Sequence, residues 1–451
     1  MRKMLLWDGE KRLKMTGSYF ESLLLRQNPT AEMLWDFSSF CNERVVHMLF
    51  KRTVFLLLAL LLTVAPAVWL SGAGFPMEEP LVIWTASDLH YLSHELLGDS
   101  GLFAEPSSGG DGKAPHLSAP ITGEFLAKAA AEKPDLLILS GDLTLNGAAQ
   151  SHLELTEQLR ALQEAGVTVL TMAGNHDIDG AAADYSTYNG ETLQTMPALT
   201  TDQYRDLYGG FGWEQAISRD EHSLSYVFEA HPRLRILMLD ANGYGKGSVK
   251  AGTFDWLREQ LWQARLARAR VIAVSHQNLY AHNEMLSFGY QLYNADDLLE
   301  VYQRGTVLCN LSGHIHVQSI LEGRVPEVAT GALSVGPCRF GELRYDGTAL
   351  TYTAQETGTP LAEQASEYFR QVARLQVYET FAESDLPAEE IHLLAETFAR
   401  INWAYFAGLP VEESDHAEGL ALWQQQGGFV NSYLQVMLKA CRRDNLQITI
   451  R

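Results

Sequence analysis

Polar side chains able to bind metal ions recur directly behind five short apolar runs of this chain. Each run reads as a buried β-strand. The motifs that follow the runs are Asp88-Leu89-His90, Gly141-Asp142, Gly174-Asn175-His176-Asp177, Ser275-His276 and Gly313-His314-Ile315-His316. Because active sites of open α/β sheets form at the carboxyl ends of the parallel strands, we expect the five motifs to converge on one site.

The residue types in these motifs are those that borderline cations prefer. Imidazole nitrogens and carboxylate or amide oxygens suit manganese, iron and zinc alike. Asp88 and His90 are two residues apart, as are His314 and His316, so each pair would share one face of an extended strand. The carboxylate of Asp142 has two oxygens and could bridge two cations. A single Asp-x-His or Gly-Asp pair is common by chance, but five such motifs in series are not.

This series of motifs resembles that of the calcineurin-like metallophosphoesterase superfamily, over about residues 80–355. The resemblance implies an α/β fold class, a four-layer α-β-β-α sandwich, here with a helical C-terminal region. It also implies two divalent metal ions (Mn, Fe or Zn). The ligands that it assigns are Asp88, His90, Asp142 and His316 for the first ion, and Asp142, Asn175, His276 and His314 for the second.

The same resemblance implies hydrolysis of a phosphoester. Two cations about 3.5–4 Å apart can bind phosphate oxygens, lower the pKa of a bridging water to give the attacking hydroxide, and stabilise the leaving oxygen. His176 matches the general acid of the family, which protonates the leaving alkoxide and titrates near neutral pH. Asp177 follows it and either orients His176 or caps the next turn.

Differences between these motifs and those of individual branches of the superfamily narrow the range of expected reactions. Leu145 stands where purple acid phosphatases have an iron-binding tyrosine, and Asp177 stands where serine/threonine protein phosphatases have glutamate. The motifs are most similar to those of bacterial cyclic-nucleotide phosphodiesterase-like proteins. We therefore expect a phosphodiesterase acting on a small phosphoester. The alternatives are a phosphomonoesterase acting on small phosphorylated metabolites, or a non-catalytic binding protein on the same fold.

The charge of the chain bears on its partners. With 34 Lys and Arg against 55 Asp and Glu, the net charge is −21, so binding to a nucleic-acid polymer is not expected. A length of 451 residues allows at least two domains. No motif indicates an oligomeric state.

One long apolar stretch, residues 53–70, follows two basic residues near the N-terminus. It is typical of a secretory signal peptide and is barely long enough to span a bilayer. We expect residues 48–74 to be a signal peptide or membrane anchor, which would contact the membrane through residues 53–70 if uncleaved. The enzyme would then be extracytoplasmic, secreted or tethered to the outer face of the plasma membrane. Residues 1–47 are either an N-terminal extension or an over-extended reading frame ahead of a start at Met48.

The remaining segments divide into a catalytic domain, residues 80–355, and a helical C-terminal domain, residues 360–451. The aromatic residues of the C-terminal domain are expected in its core rather than at a ligand site. Residues 98–120 read as a loop that could overhang the site. Residues 178–222 are an insertion that forms either a lid or a surface loop.

Several single residues carry smaller expectations. Ser151 and Glu154 have the spacing of a capping box at the start of a helix. The segment after His276 offers side chains that could contact substrate, namely Asn278, Tyr280, His282 and Asn283. Cys309 is expected in the core, and a disulfide with Cys338 is the less favoured arrangement.

Overall fold

The computed structural model describes residues 76–97, 101–107, 109–178, 187–188, 193–194, 196–243, 247–305 and 307–451. The expected signal peptide or membrane anchor, residues 48–74, and the N-terminal extension, residues 1–47, lie outside the described residues. Within the described ranges, no helix combines the length and the apolar character needed to cross a membrane.

Strands dominate the first three quarters of the described chain. They are β1 (Leu81–Ala86), β2 (Leu136–Leu139), β3 (Thr168–Thr171), β4 (Thr187–Tyr188), β5 (Leu193–Gln194), β6 (Ser218–Arg219), β7 (Tyr226–His231), β8 (Leu234–Leu239), β9 (Arg270–Ser275), β10 (Val307–Ser312), β11 (Ser319–Leu321), β12 (Glu327–Ala329), β13 (Arg339–Tyr345), β14 (Leu350–Glu356) and β15 (Gln447–Ile450). The α-helices are α1 (His94–Leu97), α2 (Pro115–Glu132), α3 (Ala149–Glu164), α4 (Thr201–Tyr208), α5 (Ala251–Leu266), α6 (Ala295–Arg304), α7 (Pro360–Thr380), α8 (Ala388–Phe406), α9 (Ala417–Gln426) and α10 (Gly428–Ala440).

Two mixed sheets carry the motifs. The first has the strand order β15-β14-β13-β1-β2-β3, in which β1, β2 and β3 run parallel. The second has the order β11-β12-β10-β9-β8-β7-β6, in which β8, β9, β10 and β12 run parallel. The strands predicted ahead of the five motifs are β1, β2, β3, β9 and β10, so three belong to the first sheet and two to the second.

Alternation of side chains along the strands builds the layers. In β1, Ile83 packs between the two sheets whereas Trp84 packs against α2 and α3. In β9, Ile272 and Val274 lie between the sheets, and Ala273 faces α5 and α6. Successive side chains of a strand point to opposite faces, so strands that are covered on both faces are apolar throughout. The layers are helix, sheet, sheet and helix, which confirms the expected α-β-β-α sandwich.

The helical C-terminal region is present as α7 to α10, which share a core that includes Leu394, Phe398 and Trp423. Its end differs from the expected helical domain over residues 360–451, because residues 447–450 form strand β15. This strand pairs with β14 in the first sheet. The chain therefore returns to the first sheet after its last helix.

Two local expectations were wrong for identifiable reasons, and one was confirmed. The loop over residues 98–120 ends at Ala114, because Pro115 starts α2 and proline is favoured in a first helical turn. Ser151 and Glu154 do not form a capping box, since α3 begins at Ala149 and both side chains bind Ser93 instead. Cys309 and Cys338 are both unpaired and buried, which excludes the disulfide and leaves Cys309 in the core as expected.

Candidate metal centre

The five motifs lie at the carboxyl ends of parallel strands in both sheets. β1, β2 and β3 precede Asp88, Asp142 and Asn175, and β9 and β10 precede His276 and His314. Because the sheets pack face to face, their strand ends meet at one edge. The structure therefore brings all seven predicted ligand residues together.

One group of donor atoms comes from Asp88, His90, Asp142 and His316, and these atoms lie within 4.8 Å of one another. The Nε2 atoms of His90 and His316 are 3.1 Å apart. Asp88 Oδ1 is 3.5 Å from Nε2 of His316, and Asp142 Oδ2 is 3.7 Å from Nε2 of His90. Two ring nitrogens and two carboxylate oxygens thus face a common point.

A second group comes from Asp142, His276 and His314, whose donor atoms also lie within 4.8 Å of one another. His276 Nε2 is 3.2 Å from Asp142 Oδ1 and 3.1 Å from Asn175 Oδ1. Asp142 therefore belongs to both groups, with Oδ2 facing the first and Oδ1 facing the second. This arrangement is what a carboxylate between two cations requires.

Burial and opposite charges act against each other in these side chains. Burial raises the pKa of Asp142, but His276, His176 and His90 outweigh it and hold that pKa well below the ordinary value. Burial lowers the pKa of His276, yet Asp142 and Asp88 outweigh it and raise that pKa to about 9. An ionised carboxylate that is buried is stabilised by a positive charge beside it. A site that combines such carboxylates with imidazole nitrogens therefore has the donor atoms that divalent cations bind.

Backbone carbonyls fix which nitrogen of each ring is free. Nδ1 of His276 donates to the carbonyl oxygen of Ser140 at 2.9 Å, which leaves Nε2 toward the donor groups. Nε2 of His314 donates to the carbonyl of Gly289 at 2.9 Å, which leaves Nδ1 as its free nitrogen. Such outer hydrogen bonds orient metal-binding histidines and set their tautomer.

The backbone is strained at the same residues. Eight non-glycine residues of the described chain have positive φ, and five of them are predicted ligands. These five are Asp88, His90, Asp142, His314 and His316, with φ between 43° and 68°. Left-handed backbone is unfavourable for non-glycine residues and concentrates at functional sites. The left-handed backbone at these residues turns the chain sharply at each strand end, which brings their side chains into the shared site.

Two glycines make room for this approach. A Cβ on Gly174 would lie 2.1 Å from Oδ1 of Asp142, and a Cβ on Gly313 would lie 1.7 Å from Oγ of Ser87. Neither contact is sterically allowed. Gly174 and Gly313 therefore permit the backbone of one motif to lie against the side chain of another.

Comparison with protein families agrees with this geometry. Residues 81–318, which are more than half of the chain, match the family described as calcineurin-like phosphoesterase. The chain belongs to this family. It is a phosphoester hydrolase, as expected. Residues 362–444 match a second family, described as the C-terminal domain of cyclic nucleotide phosphodiesterase.

Individual relatives are more distant. A probable cyclic nucleotide phosphodiesterase of Psychrobacter arcticus is 25% identical over 240 residues, which are 51% of this chain and 71% of that protein. A dimetal phosphatase from Danio rerio is 12% identical, with a TM-score of 0.45, covering 62% of this chain and 97% of that one. A purple acid phosphatase from yellow lupin (Lupinus luteus) seeds is 13% identical, with a TM-score of 0.40, covering 63% and 53% of the two chains.

In this calcineurin-like phosphoesterase, His176 faces the ligand groups from one side. Its Nδ1 donates to the carbonyl of Leu145 at 2.8 Å, and its Nε2 lies 4.0 Å from Oδ2 of Asp142. Burial is the largest influence on its pKa and lowers it, and the charge of Lys113 acts in the same direction. The partner that orients His176 is thus a carbonyl rather than Asp177.

Asp177 instead joins two motif loops. Its carboxylate accepts hydrogen bonds from the backbone N–H groups of Leu143, Thr144 and Gly174, at 2.7–3.1 Å. Behind it, His152 of α3 donates from Nε2 to the carbonyl of Asp177 at 2.9 Å. All described partners of the Asp177 carboxylate precede it in the chain, so it does not orient His176, and capping of the turn that follows stays a prediction.

A cleft of about 370 Å³ lies above the ligand groups. The residues that line it are Asp111, Lys113, Asp142, Asn175, His176, Leu286, Gly289, Tyr290, His314, Ile315, His316, Val317, Phe406 and Tyr433. Asp111 and Lys113 come from the segment before α2, so the expected overhang is present. Phe406 and Tyr433 come from the C-terminal helices. Phe406 packs against the core, as expected, and also lines the cleft.

The predicted substrate contacts after His276 are structural instead. Asn278 donates from Nδ2 to the carbonyl of Gly313, and His282 lies 3.2 Å from the buried carboxylate of Glu327. Asn283 donates to the hydroxyl of Tyr405. None of the four predicted contacts is among the described residues that line the cleft. The same segment reaches the cleft further along, at Leu286, Gly289 and Tyr290, where the sequence carries no ligand-type motif.

The insertion over residues 178–222 is described only in part. In its described part, Tyr204, Tyr208 and Phe211 pack into the core beside α3. None of its described residues lines the cleft. This part therefore supports the expectation of a packed surface segment rather than that of a lid.

Proposed function

We propose that this phosphoesterase uses two divalent cations to hydrolyse a small phosphodiester. The observation that carries the proposal is the pair of donor groups that share Asp142 at the base of one cleft. The name of the Psychrobacter arcticus relative and the family match of residues 362–444 favour a phosphodiester over a monoester.

The residues proposed to hold the cations are Asp88, His90, Asp142 and His316 for one, and Asp142, Asn175, His276 and His314 for the other. When bound, the cations supply positive charge for the phosphate oxygens and lower the pKa of a coordinated water. Manganese, iron and zinc all suit this set of nitrogen and oxygen donors.

His176 is proposed as the general acid. Because its Nδ1–H is bound to the carbonyl of Leu145, the ring can give up a proton to substrate only from Nε2. That atom faces the cleft beside Asp142. In the protonated ring, Nε2–H is in position to protonate the alkoxide that leaves the phosphorus.

The size and composition of the cleft favour a small substrate. Its volume of about 370 Å³ is at the lower end of the range for small-molecule sites. Tyr290, Phe406 and Tyr433 give one side an aromatic lining that a planar organic group can contact. A cleft of this kind on a chain with net charge −21 does not suit a nucleic-acid polymer.

Turnover of two chromogenic esters tests the proposal. The protein is stripped of metal, refilled with manganese, zinc or iron, and assayed on bis-p-nitrophenyl phosphate and p-nitrophenyl phosphate. We expect metal-dependent cleavage with a higher kcat/KM for the diester. A higher value for the monoester would replace the phosphodiesterase by the phosphomonoesterase alternative. Absence of turnover with all three metals would contradict both and leave the binding-protein alternative.

We also propose that the enzyme acts outside the cytoplasm. The support is the sequence of residues 48–74, which has the basic start, leucine-rich run and small residues of a signal peptide or anchor. N-terminal sequencing of the native protein tests this. A mature chain that begins within or shortly after this segment, or a membrane fraction that retains it, agrees with the proposal. A free cytoplasmic protein beginning at Met1 contradicts it.

A further inference from the structure

Lys113 is the one lysine or arginine among the described residues that line the cleft. Its side chain is only 12% exposed, and its Nζ is 2.8 Å from Oδ2 of Asp111, which is 55% exposed. The ammonium therefore lies inside the cleft, and its partner lies at the rim. A surface lysine that merely adds solubility would be largely exposed.

The C-terminal helices hold this lysine in place. Gly112 has φ +85°, and a Cβ there would lie 2.3 Å from the ring of Phe369 on α7. Two turns later on α7, Gln376 donates from Nε2 to the carbonyl of Gly110 at 3.0 Å. The segment before Lys113 is thus packed against α7, which fixes the backbone that carries Lys113, and the ion pair with Asp111 holds its ammonium.

The charges around the cleft suit Lys113 to binding a phosphate oxygen. The carboxylates of Asp88 and Asp142 face the proposed cations, and His176 is proposed to protonate the leaving oxygen. Lys113 is then the remaining cationic side chain of the described cleft lining that can bind another oxygen of the phosphate. An ammonium offers three N–H donors and binds phosphate as a point charge. Asp111 holds the ammonium of Lys113 before substrate arrives, which reduces the entropy lost on binding.

We propose that Lys113 is a substrate-binding residue whose ammonium contacts an oxygen of the phosphate, with Asp111 as the partner that it holds in the absence of substrate. The proposal rests on the proposed function, since it takes the cleft to be a phosphoester site. It also gives the C-terminal helices a role in binding, because α7 positions the segment that carries Lys113.

The competing explanation is an ion pair that only stabilises the loop. The two explanations predict opposite effects of Asp111→Asn on phosphate affinity. If the pair is structural, Lys113→Met and Asp111→Asn both break it and act alike. If Lys113 binds phosphate, Lys113→Met weakens phosphate binding, whereas Asp111→Asn frees the ammonium and removes a nearby negative charge, so it strengthens binding. Asn at position 111 can still accept the hydrogen bond from the backbone N–H of Lys113.

Binding of inorganic phosphate to the manganese-loaded protein, measured by isothermal titration calorimetry, is the test. We expect Lys113→Met to raise the Kd about 10-fold or more, as for loss of a charged hydrogen bond. Lys113→Arg should lose less, and Asp111→Asn should lower the Kd. Lys128→Met is the matched control, since Lys128 pairs with Glu132 on α2, about 20 Å along the helix from its start. Metal content by elemental analysis and the melting temperature should not change.

The outcomes separate this inference from the proposed function. A Kd of Lys113→Met within twofold of the unmodified protein, or weakening by both Lys113→Met and Asp111→Asn, overturns the role of Lys113. Phosphate binding that depends on Lys113 in a protein without diesterase activity supports the role of Lys113 while the proposed function fails. Diesterase activity in a protein whose phosphate affinity does not depend on Lys113 supports the proposed function and overturns the role of Lys113.

Discussion

His176 keeps one ring nitrogen bound and the other directed into the cleft. The carbonyl of Leu145 holds Nδ1–H, and Nε2 lies beside Asp142 without displacing it from the donor groups. The motif Gly-Asn-His-Asp predicts the position of this histidine in the chain. It does not predict its partner, because Leu145 comes from a different loop and its carbonyl has no side-chain signature.

Replacing His176 by alanine tests its role as general acid. We expect kcat to fall by about 10²–10⁴-fold, which is the usual contribution of a positioned proton donor. The metal content should stay at the level of the unmodified protein, because His176 belongs to neither donor group. Steady-state kinetics and elemental analysis measure the two quantities. His94→Ala, at an exposed position on α1, is the control, and turnover of His176→Ala equal to that of the control would remove His176 from the mechanism.

At the scale of the elements, helix α3 supports the motif loops through one buried histidine. His152 accepts from the hydroxyl of Tyr208 at Nδ1 and donates from Nε2 to the carbonyl of Asp177. Accepting at Nδ1 requires the neutral ring, because a protonated ring has a donor at both nitrogens. Burial, the largest cause, lowers the pKa of His152 to about 4.

This histidine makes stability depend on pH. The unfolded chain takes up a proton at an ordinary pKa of about 6.5, whereas the folded chain does so only near 4, so stability falls as pH drops through that window. From pH 7 to pH 5 the loss from His152 alone is about 2 kcal/mol. His152→Gln keeps a donor for the carbonyl but cannot titrate. Urea unfolding of metal-free protein at both pH values should give a smaller loss for the variant, and equal losses would contradict this assignment.

The elements also show how far the sequence predicts this molecule. All five strands ahead of the motifs are present, because strands buried on both faces are continuous apolar runs with few other interpretations. The capping box at Ser151 and Glu154 failed, since both side chains have a better tertiary partner in Ser93. Strand β15 was missed because its four residues form a strand only through pairing with β14. The local sequence pattern therefore predicts the strands that burial on both faces determines. It does not predict elements or caps that depend on a partner distant in the sequence.

On the scale of the whole molecule, the C-terminal helices complete the cleft. The sequence indicates their helical character but not their placement, which depends on contacts such as that between Gly112 and Phe369. Their aromatic residues serve two purposes, since Phe398 and Trp423 fill the core whereas Phe406 and Tyr433 pack against that core and also line the cleft. Hydrophobic periodicity alone cannot separate these purposes, because both groups are apolar residues on amphipathic helices.

Tyr433→Ala tests whether the C-terminal region contributes to binding. We expect the KM for bis-p-nitrophenyl phosphate to rise roughly 10-fold with little change in kcat, because the ring contacts the organic group and not the reacting phosphate. Tyr378→Ala is the matched control, since Tyr378 belongs to the same region, is 37% exposed and does not line the cleft among the described residues. Equal KM values for the two variants would contradict a binding role for Tyr433.

The shared carboxylate of Asp142 is the feature on which the whole account depends. Elemental analysis of the manganese-loaded protein, compared with Asp142→Asn and with the exposed control Asp255→Asn, measures it most directly. We expect about two metal ions per chain in the unmodified protein and in the control, as a two-metal site requires. In Asp142→Asn both sites should lose occupancy, because the amide cannot supply a charged oxygen to each. Full occupancy in Asp142→Asn, or a single metal ion in the unmodified protein, would contradict the account.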